Sequence, residues 1–192
     1  MIYKTYYNSP MGEILIASDG ENIIGLWIEG QKYYLDKIDE KIVLKNDLKI
    51  FEKTKKWLEQ YFNKKKPQIS ELQLAPKGNE FRQLVWKLLC EIPYGKTTTY
   101  GELAEKIAKE MNKKSMSAQA IGNAVGHNPI SIIIPCHRVV GKNGSLTGYA
   151  GGIDKKIELL KLEGAYSEKF FVPKDIDLPG YEKEDKKYNP IE

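Results

Sequence analysis

The chain has few of the residues that disulfide-rich, metal-binding or membrane proteins require. Among its 192 residues are only two cysteines, Cys90 and Cys136, too few for a disulfide framework. Two histidines are few for a metal site, and residues 1–76 contain neither cysteine nor histidine. Apolar runs are short, so we expect no membrane span. The first residues do not resemble a signal peptide. We therefore expect a cytoplasmic, monomeric protein with free thiols and without metal or cofactor.

Acidic residues are missing from one long stretch, between Glu110 and Asp154, although Asp and Glu together number 26 in the chain. A surface that faces phosphate must not repel it, so this gap favours contact with a polyanion. A buried or glycine-rich segment that simply lacks charges is an equally good explanation. The charged residues inside the stretch are all basic: Lys113, Lys114, Arg138 and Lys142.

The first third of the chain has the pattern of an α/β domain. Residues 13–18 and 23–28 are strand-like and flank an Asp-Gly turn, which predicts a hairpin. An apolar stripe with helical spacing follows, and Asp47 is a suitable N-cap for a helix that ends near Asn63. The Pro-Lys-Gly run at 76–78 is typical of a linker. We therefore predict an N-terminal α/β domain over residues 1–76.

The second part, residues 77–165, is mainly helical in pattern, and a tail covers residues 166–192. After a helix over 80–91, Thr99 and Ser117 are each placed to cap a short helix, and the second of these helices consists mostly of small residues. This arrangement is typical of a helix-turn-helix, in which small residues allow close approach to nucleic acid. An ordinary helical hairpin has the same pattern.

Cys136 is the candidate nucleophile. The apolar run 130–134 predicts a buried strand that ends at Pro135, which would expose the thiol at the strand edge. His137 is a possible base, but neighbours in an extended segment point in opposite directions, so a water molecule would have to relay the proton. The alternative is a packed core cysteine, an interpretation that fits Cys90 better.

The run Ile-Pro-Cys-His-Arg-Val-Val at 134–140 resembles the active-site signature of the O6-alkylguanine-DNA alkyltransferases. Further motifs of that family occur in the same order, and Ser-Pro-Met-Gly at 9–12 resembles a turn in its N-terminal domain. The signature run and the supporting motifs extend the resemblance over about residues 80–164. The supporting motifs lie at 92–96, 99–104, 122–129, 148–152 and 159–164.

The resemblance implies four catalytic residues. Cys136 would accept the alkyl group, and His137 would deprotonate its thiol through a water molecule. Glu163 would orient the histidine, and Tyr100 would donate a proton to the departing guanine at N3. A base is needed because an ordinary thiol, with a pKa of about 8.5, is largely protonated at neutral pH.

The resemblance also implies residues that contact DNA or the extruded base. Asn128 would brace the turn before the active site, and backbone groups of Cys136, Val139 and Ala150 would recognise the guanine edge. Tyr149 would form a wall of the pocket, and Gly151 belongs to the loop that closes it. Ser117 and Gln119 would contact DNA at the start of the second helix. Gln119 stands where the family usually has an arginine.

From the resemblance we expect a ribonuclease-H-like α/β N-terminal domain and a mainly α, winged-helix-type C-terminal domain. The implied function is DNA repair by irreversible transfer of the alkyl group from O6-alkylguanine in double-stranded DNA, after base flipping, to the cysteine. No membrane or protein partner is evident. The alternative is a non-catalytic protein that binds alkylated DNA, but relatives of that kind replace the cysteine.

Overall fold

A four-stranded sheet with one helix against it forms the N-terminal part of the protein. In the computed structural model, which describes residues 1–36 and 38–173, the spatial strand order is β3-β2-β1-β4. The β1–β2 and β2–β3 pairs are antiparallel, which confirms the predicted hairpin, and β4 runs parallel to β1. The strands are β1 (Ile2–Ser9), β2 (Gly12–Ser18), β3 (Ile23–Ile28) and β4 (Ile42–Leu44).

Helix α1 (Lys49–Phe62) packs against β1 and β2 and buries an apolar face that includes Phe51, Trp57 and Tyr61. The prediction that Asp47 caps this helix is wrong. The N-cap is Leu48, which provides no side-chain hydrogen bond, and the Asp47 carboxylate lies 3.5 Å from the Lys45 ammonium group instead. The apolar spacing predicted the helix, but the residue at which it begins depends on how it packs on the sheet.

The C-terminal part is helical, with two short strands. Helices α2 (Glu80–Leu89), α3 (Tyr100–Glu110) and α4 (Ala118–Gly126) pack on one another, and α5 is Ile153–Leu162. Strands β5 (Thr98–Thr99) and β6 (Val139–Val140) pair in parallel.

Both predicted caps of the helix pair are present. Thr99 forms a capping box with Glu102 at the start of α3, and the Ser117 hydroxyl accepts a hydrogen bond from the Ala120 amide at the start of α4. Each side-chain oxygen satisfies an amide that the first turn of a helix leaves without a partner.

The two parts are joined at the outer edge of β3. The Leu26 amide donates to the Pro129 carbonyl at 2.8 Å, and the Ser131 amide donates to the Leu26 carbonyl at 3.0 Å. The segment just before Cys136 therefore pairs with the N-terminal sheet, and apolar residues from both parts share one core. This pairing fixes the backbone that leads to the cysteine.

The beginning of the predicted tail packs on the protein. Phe170 and Val172 are buried, and the Leu146 amide donates to the Phe171 carbonyl at 2.8 Å. The rest of the tail, residues 174–192, lies outside the described residues. Across the described ranges, no helix is long and apolar enough to span a bilayer.

Candidate active site

The segment before Cys136 is a turn, so the prediction of a buried strand over 130–134 is wrong. Ile132 has a φ of 70°, a left-handed conformation that a β-branched residue rarely adopts. The Ile133 amide donates to the Ser131 carbonyl at 2.8 Å, and the Ile134 amide donates to the Ile130 carbonyl at 3.1 Å. A run of isoleucines has strong strand propensity, but pairing with β3 ends at Ser131, and the chain then turns inward.

Asn128 stabilises this turn. Its buried side-chain amide donates to the carbonyls of Ile130 (3.3 Å) and Ile134 (2.9 Å), and its oxygen accepts the Ile130 amide at 3.0 Å. The bracing role that the resemblance implies thus has a matching set of hydrogen bonds. A strained backbone persists only where its surroundings hold it in place, and Asn128 provides much of that restraint.

Cys136 begins a single 3₁₀ turn, Cys136–Arg138, and is only 5% exposed, so the expectation of a thiol exposed at a strand edge is also wrong. Burial raises the pKa of the Cys136 thiol. The Asn128 side-chain amide and the Lys156 charge act in the opposite direction without cancelling the effect of burial. A thiol in this position stays protonated at neutral pH and needs a base to become a nucleophile.

His137 follows directly and is completely buried. Its Nε2 lies 2.5 Å from Oε2 of Glu163, whereas Nδ1 has no hydrogen-bond partner among the described residues. Because a carboxylate only accepts hydrogen bonds, the ring proton belongs on Nε2, which leaves the lone pair on Nδ1. Burial lowers the pKa of His137, and the positive charges of Arg138 and Lys156 add to this, although Glu163 opposes it. The ring is thus a neutral base.

Glu163 ends α5 as its C-cap, and its side chain is fully buried. The Arg138 guanidinium donates to both carboxylate oxygens, from Nε at 2.7 Å and from Nη2 at 3.2 Å. The Gly95 amide donates to Oε1 at 3.2 Å, and the Tyr61 hydroxyl donates to Oε2 at 2.5 Å. Burial alone would raise the pKa of Glu163, but His137 and Arg138 hold it well below its usual value. The carboxylate remains ionised.

Three residues of this site were missed by the sequence analysis: Tyr61, Arg138 and Lys156. Arg138 lies inside the signature run, so its position was a usable signal. Tyr61 looks like one more apolar position of α1, and Lys156 looks like an ordinary helical lysine. Nothing in the local pattern distinguishes either of them.

Lys156, in α5, is fully buried. Its ammonium group donates to the carbonyls of Val139 (2.5 Å) and Thr147 (3.1 Å). Burial lowers the pKa of Lys156 to about 8, although the negative charge that Cys136 carries when ionised opposes this. The Val139 backbone, which we expect to recognise the flipped guanine, is therefore hydrogen-bonded through its carbonyl to a lysine of α5.

Tyr100, the first residue of α3, points toward the loop that follows β6. Its hydroxyl donates to the Thr147 carbonyl at 3.1 Å. Burial and the negative charge of ionised Cys136 raise the pKa of Tyr100, so the hydroxyl keeps its proton until a group that becomes basic takes it. Gly148 has a φ of 75°, and a Cβ there would lie 3.1 Å from this hydroxyl, so glycine suits the position in both respects.

An open pocket of about 480 Å³ includes Gly148 in its lining, whereas Cys136, His137 and Tyr100 do not line it. Tyr149, Ala150 and Gly151 line one side, and residues 29, 30, 32 and 33 from the N-terminal part line another. The Lys32 amide donates to the Ala150 carbonyl at 2.9 Å. The Tyr149 hydroxyl is buried near the Ser131 side chain, but it forms no well-aligned hydrogen bond within the described part of the chain.

The predicted DNA contacts lie outside this pocket. Ser117 and Gln119 are exposed at the start of α4, and Lys113 and Lys114 are exposed in the loop before it. These four residues lie on the connection between α3 and α4 or in the first turn of α4, within the stretch without acidic residues. For residues 1–36 and 38–173, no group of three or more His, Cys, Asp or Glu side chains is arranged to hold a metal ion.

Comparison with known proteins matches both parts of the chain to one family. Residues 2–76 match the model described as "6-O-methylguanine DNA methyltransferase, ribonuclease-like domain", and residues 80–165 match its "DNA binding domain". A methylated-DNA–protein-cysteine methyltransferase of Haemophilus influenzae is 45% identical over 84% of this chain and 86% of its own length. The corresponding protein of Methanosarcina acetivorans is 43% identical over 85% of this chain and 99% of its own.

Solved structures give the same result. The structure of Mycobacterium tuberculosis OGT in complex with DNA aligns with a TM-score of 0.73 at 36% identity. The alignment covers 85% of this chain and 93% of that one. The two-part arrangement, an α/β N-terminal part followed by a helical C-terminal part, is common to both proteins.

Proposed function

The chain belongs to the 6-O-methylguanine DNA methyltransferase family and is a methylated-DNA–protein-cysteine methyltransferase, and we propose that Cys136 is the residue that accepts the alkyl group. The observation that carries this assignment is the surroundings of the thiol. Cys136 is buried and is followed by a neutral histidine, His137, whose Nε2 donates a hydrogen bond to the ionised carboxylate of Glu163. The substrate of the protein is O6-alkylguanine in double-stranded DNA.

In the first step, His137 Nδ1 takes the proton of the Cys136 thiol through a water molecule. The imidazolium that forms is stabilised by Glu163, which accepts the Nε2 proton at 2.5 Å. Lys156 supplies a positive charge that favours the thiolate. Together these groups offset the burial that keeps the resting thiol protonated.

In the second step, the thiolate sulfur attacks the alkyl carbon as its bond to guanine O6 breaks. The electron pair of that bond passes to the guanine, and Tyr100 donates its proton to N3, so that no bare anion leaves. The product is an S-alkylcysteine, and because water does not reverse a thioether, each molecule acts once.

Double-stranded DNA would bind along α3 and α4 from the minor-groove side, where small residues of α4 permit close approach. Ser117, Gln119, Lys113 and Lys114 are exposed there and suit phosphate or base contacts. The extruded guanine would enter the pocket lined by Tyr149, Ala150 and Gly151, because its alkyl carbon is otherwise inaccessible.

For the architecture we propose the finer description that the resemblance implied. The N-terminal domain, residues 1–76, would be ribonuclease-H-like, which the β3-β2-β1-β4 sheet with α1 against it supports. The C-terminal domain, residues 77–165, would be of winged-helix type, and residues 166–192 would form a tail.

The test is intact-protein mass spectrometry after incubation with duplex DNA containing O6-methylguanine. We expect one methyl group per protein molecule, located on the peptide that contains Cys136. Repair of many lesions by one protein molecule, or a methyl group on Cys90, would contradict the assignment.

A further inference from the structure

Among the described N-terminal residues, Tyr61 is the one whose side chain hydrogen-bonds to Glu163, the charged group behind the proposed nucleophile. It lies in the last turn of α1, is 1% exposed, and is 102 positions away from Glu163 in sequence. Its hydroxyl nevertheless donates to Oε2 of Glu163 at 2.5 Å. This is the same oxygen that His137 Nε2 contacts. The Arg138 Nη2 group donates to this oxygen too, at 3.2 Å, so three donors share it, and Tyr61 is the one that comes from the N-terminal part.

The ring of Tyr61 is held firmly enough to aim this hydroxyl. It stacks on Trp57 with a centroid distance of 5.6 Å and an interplanar angle of 6°. Phe62 and Tyr94 contact it edge to face, at 5.3 and 5.9 Å. Burial and the negative charge of Glu163 raise the pKa of Tyr61 well above its usual value, so the hydroxyl remains a neutral donor.

We propose that Tyr61 is a positioning residue for alkyl transfer, which holds the Glu163 carboxylate so that His137 keeps its proton on Nε2 and its lone pair on Nδ1. The inference rests on the proposed function of Cys136 and His137. In this arrangement the N-terminal domain directly helps to prepare His137 as the general base.

The hydroxyl also limits how strongly Glu163 attracts a proton to His137. Each donor to Oε2 satisfies part of its charge, so removal of one donor strengthens the attraction of the carboxylate for the imidazolium. Loss of the Tyr61 hydroxyl should therefore raise the pKa of His137 and convert part of the base into its inactive, protonated form. Among the described residues, the other titratable or charged groups near the ring or its carboxylate are Arg138 in the same turn, Lys156 of α5, Tyr149 of the following loop, Tyr94 and Cys136.

The test compares Tyr61→Phe with Tyr94→Phe in the full chain. Tyr94 is a matched control because its ring contacts Tyr61, but its hydroxyl donates to the Leu162 carbonyl, at 3.4 Å, and not to the carboxylate. Single-turnover methyl transfer is measured against pH for both variants and for the unaltered protein. Thermal unfolding of all three shows whether the loss of either hydroxyl affects folding.

For Tyr61→Phe we expect transfer at neutral pH to slow by at most about threefold, because a histidine pKa that starts below its ordinary value of about 6.5 and rises by about one unit still leaves part of the ring neutral. The acidic limb of the rate profile should move upward by about half to one pH unit, with recovery of the rate at higher pH. Tyr94→Phe should keep both the rate and the limb. A rate for Tyr61→Phe that is reduced equally at every pH, or a profile like that of Tyr94→Phe, would overturn the proposal.

A second measurement needs no DNA and reads the histidine directly. The chain has only two histidines, so ¹⁵N-histidine labelling gives two sets of ring signals, with His127 as an internal reference. We expect His137 in the unaltered protein to show a neutral ring protonated at Nε2, and in Tyr61→Phe to titrate at higher pH. Identical His137 signals in both proteins would refute the role of Tyr61 even if Cys136 is methylated. Conversely, absence of methyl transfer in the unaltered protein would refute the proposed function and leave this measurement valid.

Discussion

The two cysteines are both shielded from solvent, yet their surroundings differ in chemistry. Cys90 caps the C-terminus of α2, packs against the core, and has its thiol pKa raised to about 11 by burial. Burial also raises the pKa of Cys136, which is the less exposed of the two. Around Cys136, however, lie a neutral histidine, a buried lysine and an asparagine amide, and each can favour the thiolate. Exposure therefore does not distinguish the proposed nucleophile from the other cysteine.

The comparison also separates two kinds of burial. At Cys90, burial and the Glu91 charge outweigh the Arg138 charge and raise the thiol pKa, so this thiol stays protonated and unreactive. The polar unit behind Cys136 is also buried, but its carboxylate is well supplied with donors, since Arg138, Tyr61, Gly95 and His137 all donate to Glu163. Such a unit can accept a proton without being solvated.

Exchange of the nucleophile should have the largest effect. Cys136→Ala should abolish methyl transfer and keep DNA affinity, because the buried thiol makes no contact with the phosphate backbone. Cys90→Ala should still accept about one methyl group per molecule, since each nucleophile is consumed once. Intact-mass measurement and fluorescence anisotropy with labelled duplex DNA check both statements. Loss of folding in Cys136→Ala would favour a structural role for this cysteine.

Loss of the proposed general base, His137, should leave Cys136 protonated and unreactive, as Cys90 is. We expect His137→Ala and Glu163→Gln each to slow transfer at neutral pH by about 10²- to 10³-fold, within the usual range for a general base. The double variant should be scarcely slower than either single one, because the residues act as a unit. The measurement is the single-turnover rate against pH, together with a check of folding, since Glu163→Gln leaves Arg138 without its carboxylate.

Both single variants should recover part of their rate at high pH, where hydroxide ionises the thiol directly. Tyr100→Phe should not recover, because its defect concerns the leaving group. Additive losses for His137 and Glu163, or rates that stay low at high pH, would show that another group activates Cys136.

Lys156 should have an effect that is visible in stability. Burial lowers its pKa to about 8, whereas in an unfolded chain the pKa is about 10.4. Between these values the unfolded state binds more protons, so the Lys156 contribution to stability rises with pH and is lost as pH falls toward 8. Relative to Lys156→Met, the protein should gain up to about 3 kcal/mol across this interval.

Denaturant unfolding at several pH values measures this difference. The exposed Lys142 provides the control, since Lys142→Met also removes one lysine charge but not a buried one. A flat difference between the protein and Lys156→Met would show that the ammonium group is not desolvated.

Gln119 should give the smallest effect, because it lies on the surface and far from the thiol chemistry. Gln119→Ala should weaken binding of the lesion about threefold with no change in the salt dependence, since no charge is lost. Gln119→Arg should bind more tightly and steepen the salt slope by about one unit. Lys113→Ala serves as the reference for loss of one charge. A change in salt slope for Gln119→Ala would contradict this prediction.

Several elements follow from the sequence because their signals are local. The β2–β3 hairpin has a turn between two strand-like runs, and α3 and α4 have capping residues at Thr99 and Ser117. The signature run 134–140 identified the candidate nucleophile and its neighbour. In each case, residues close together in sequence make the contacts that define the feature.

The failures have the opposite character. Residues 130–134 have strong strand propensity, but pairing with β3 ends at Ser131 and Asn128 holds the following turn, so the chain bends and buries Cys136. Propensity does not contain this information, because the partner strand lies about a hundred residues earlier.

The sequence by itself therefore determined the chemistry of the site: a cysteine, a histidine and a carboxylate in a recognisable order. Only the tertiary structure decided how those groups ionise. The pKa of a side chain depends on its burial and on the charges around it, and here Lys156, Arg138 and Tyr61 come from three different segments. Folding brings them to one point, and no local pattern encodes that distance.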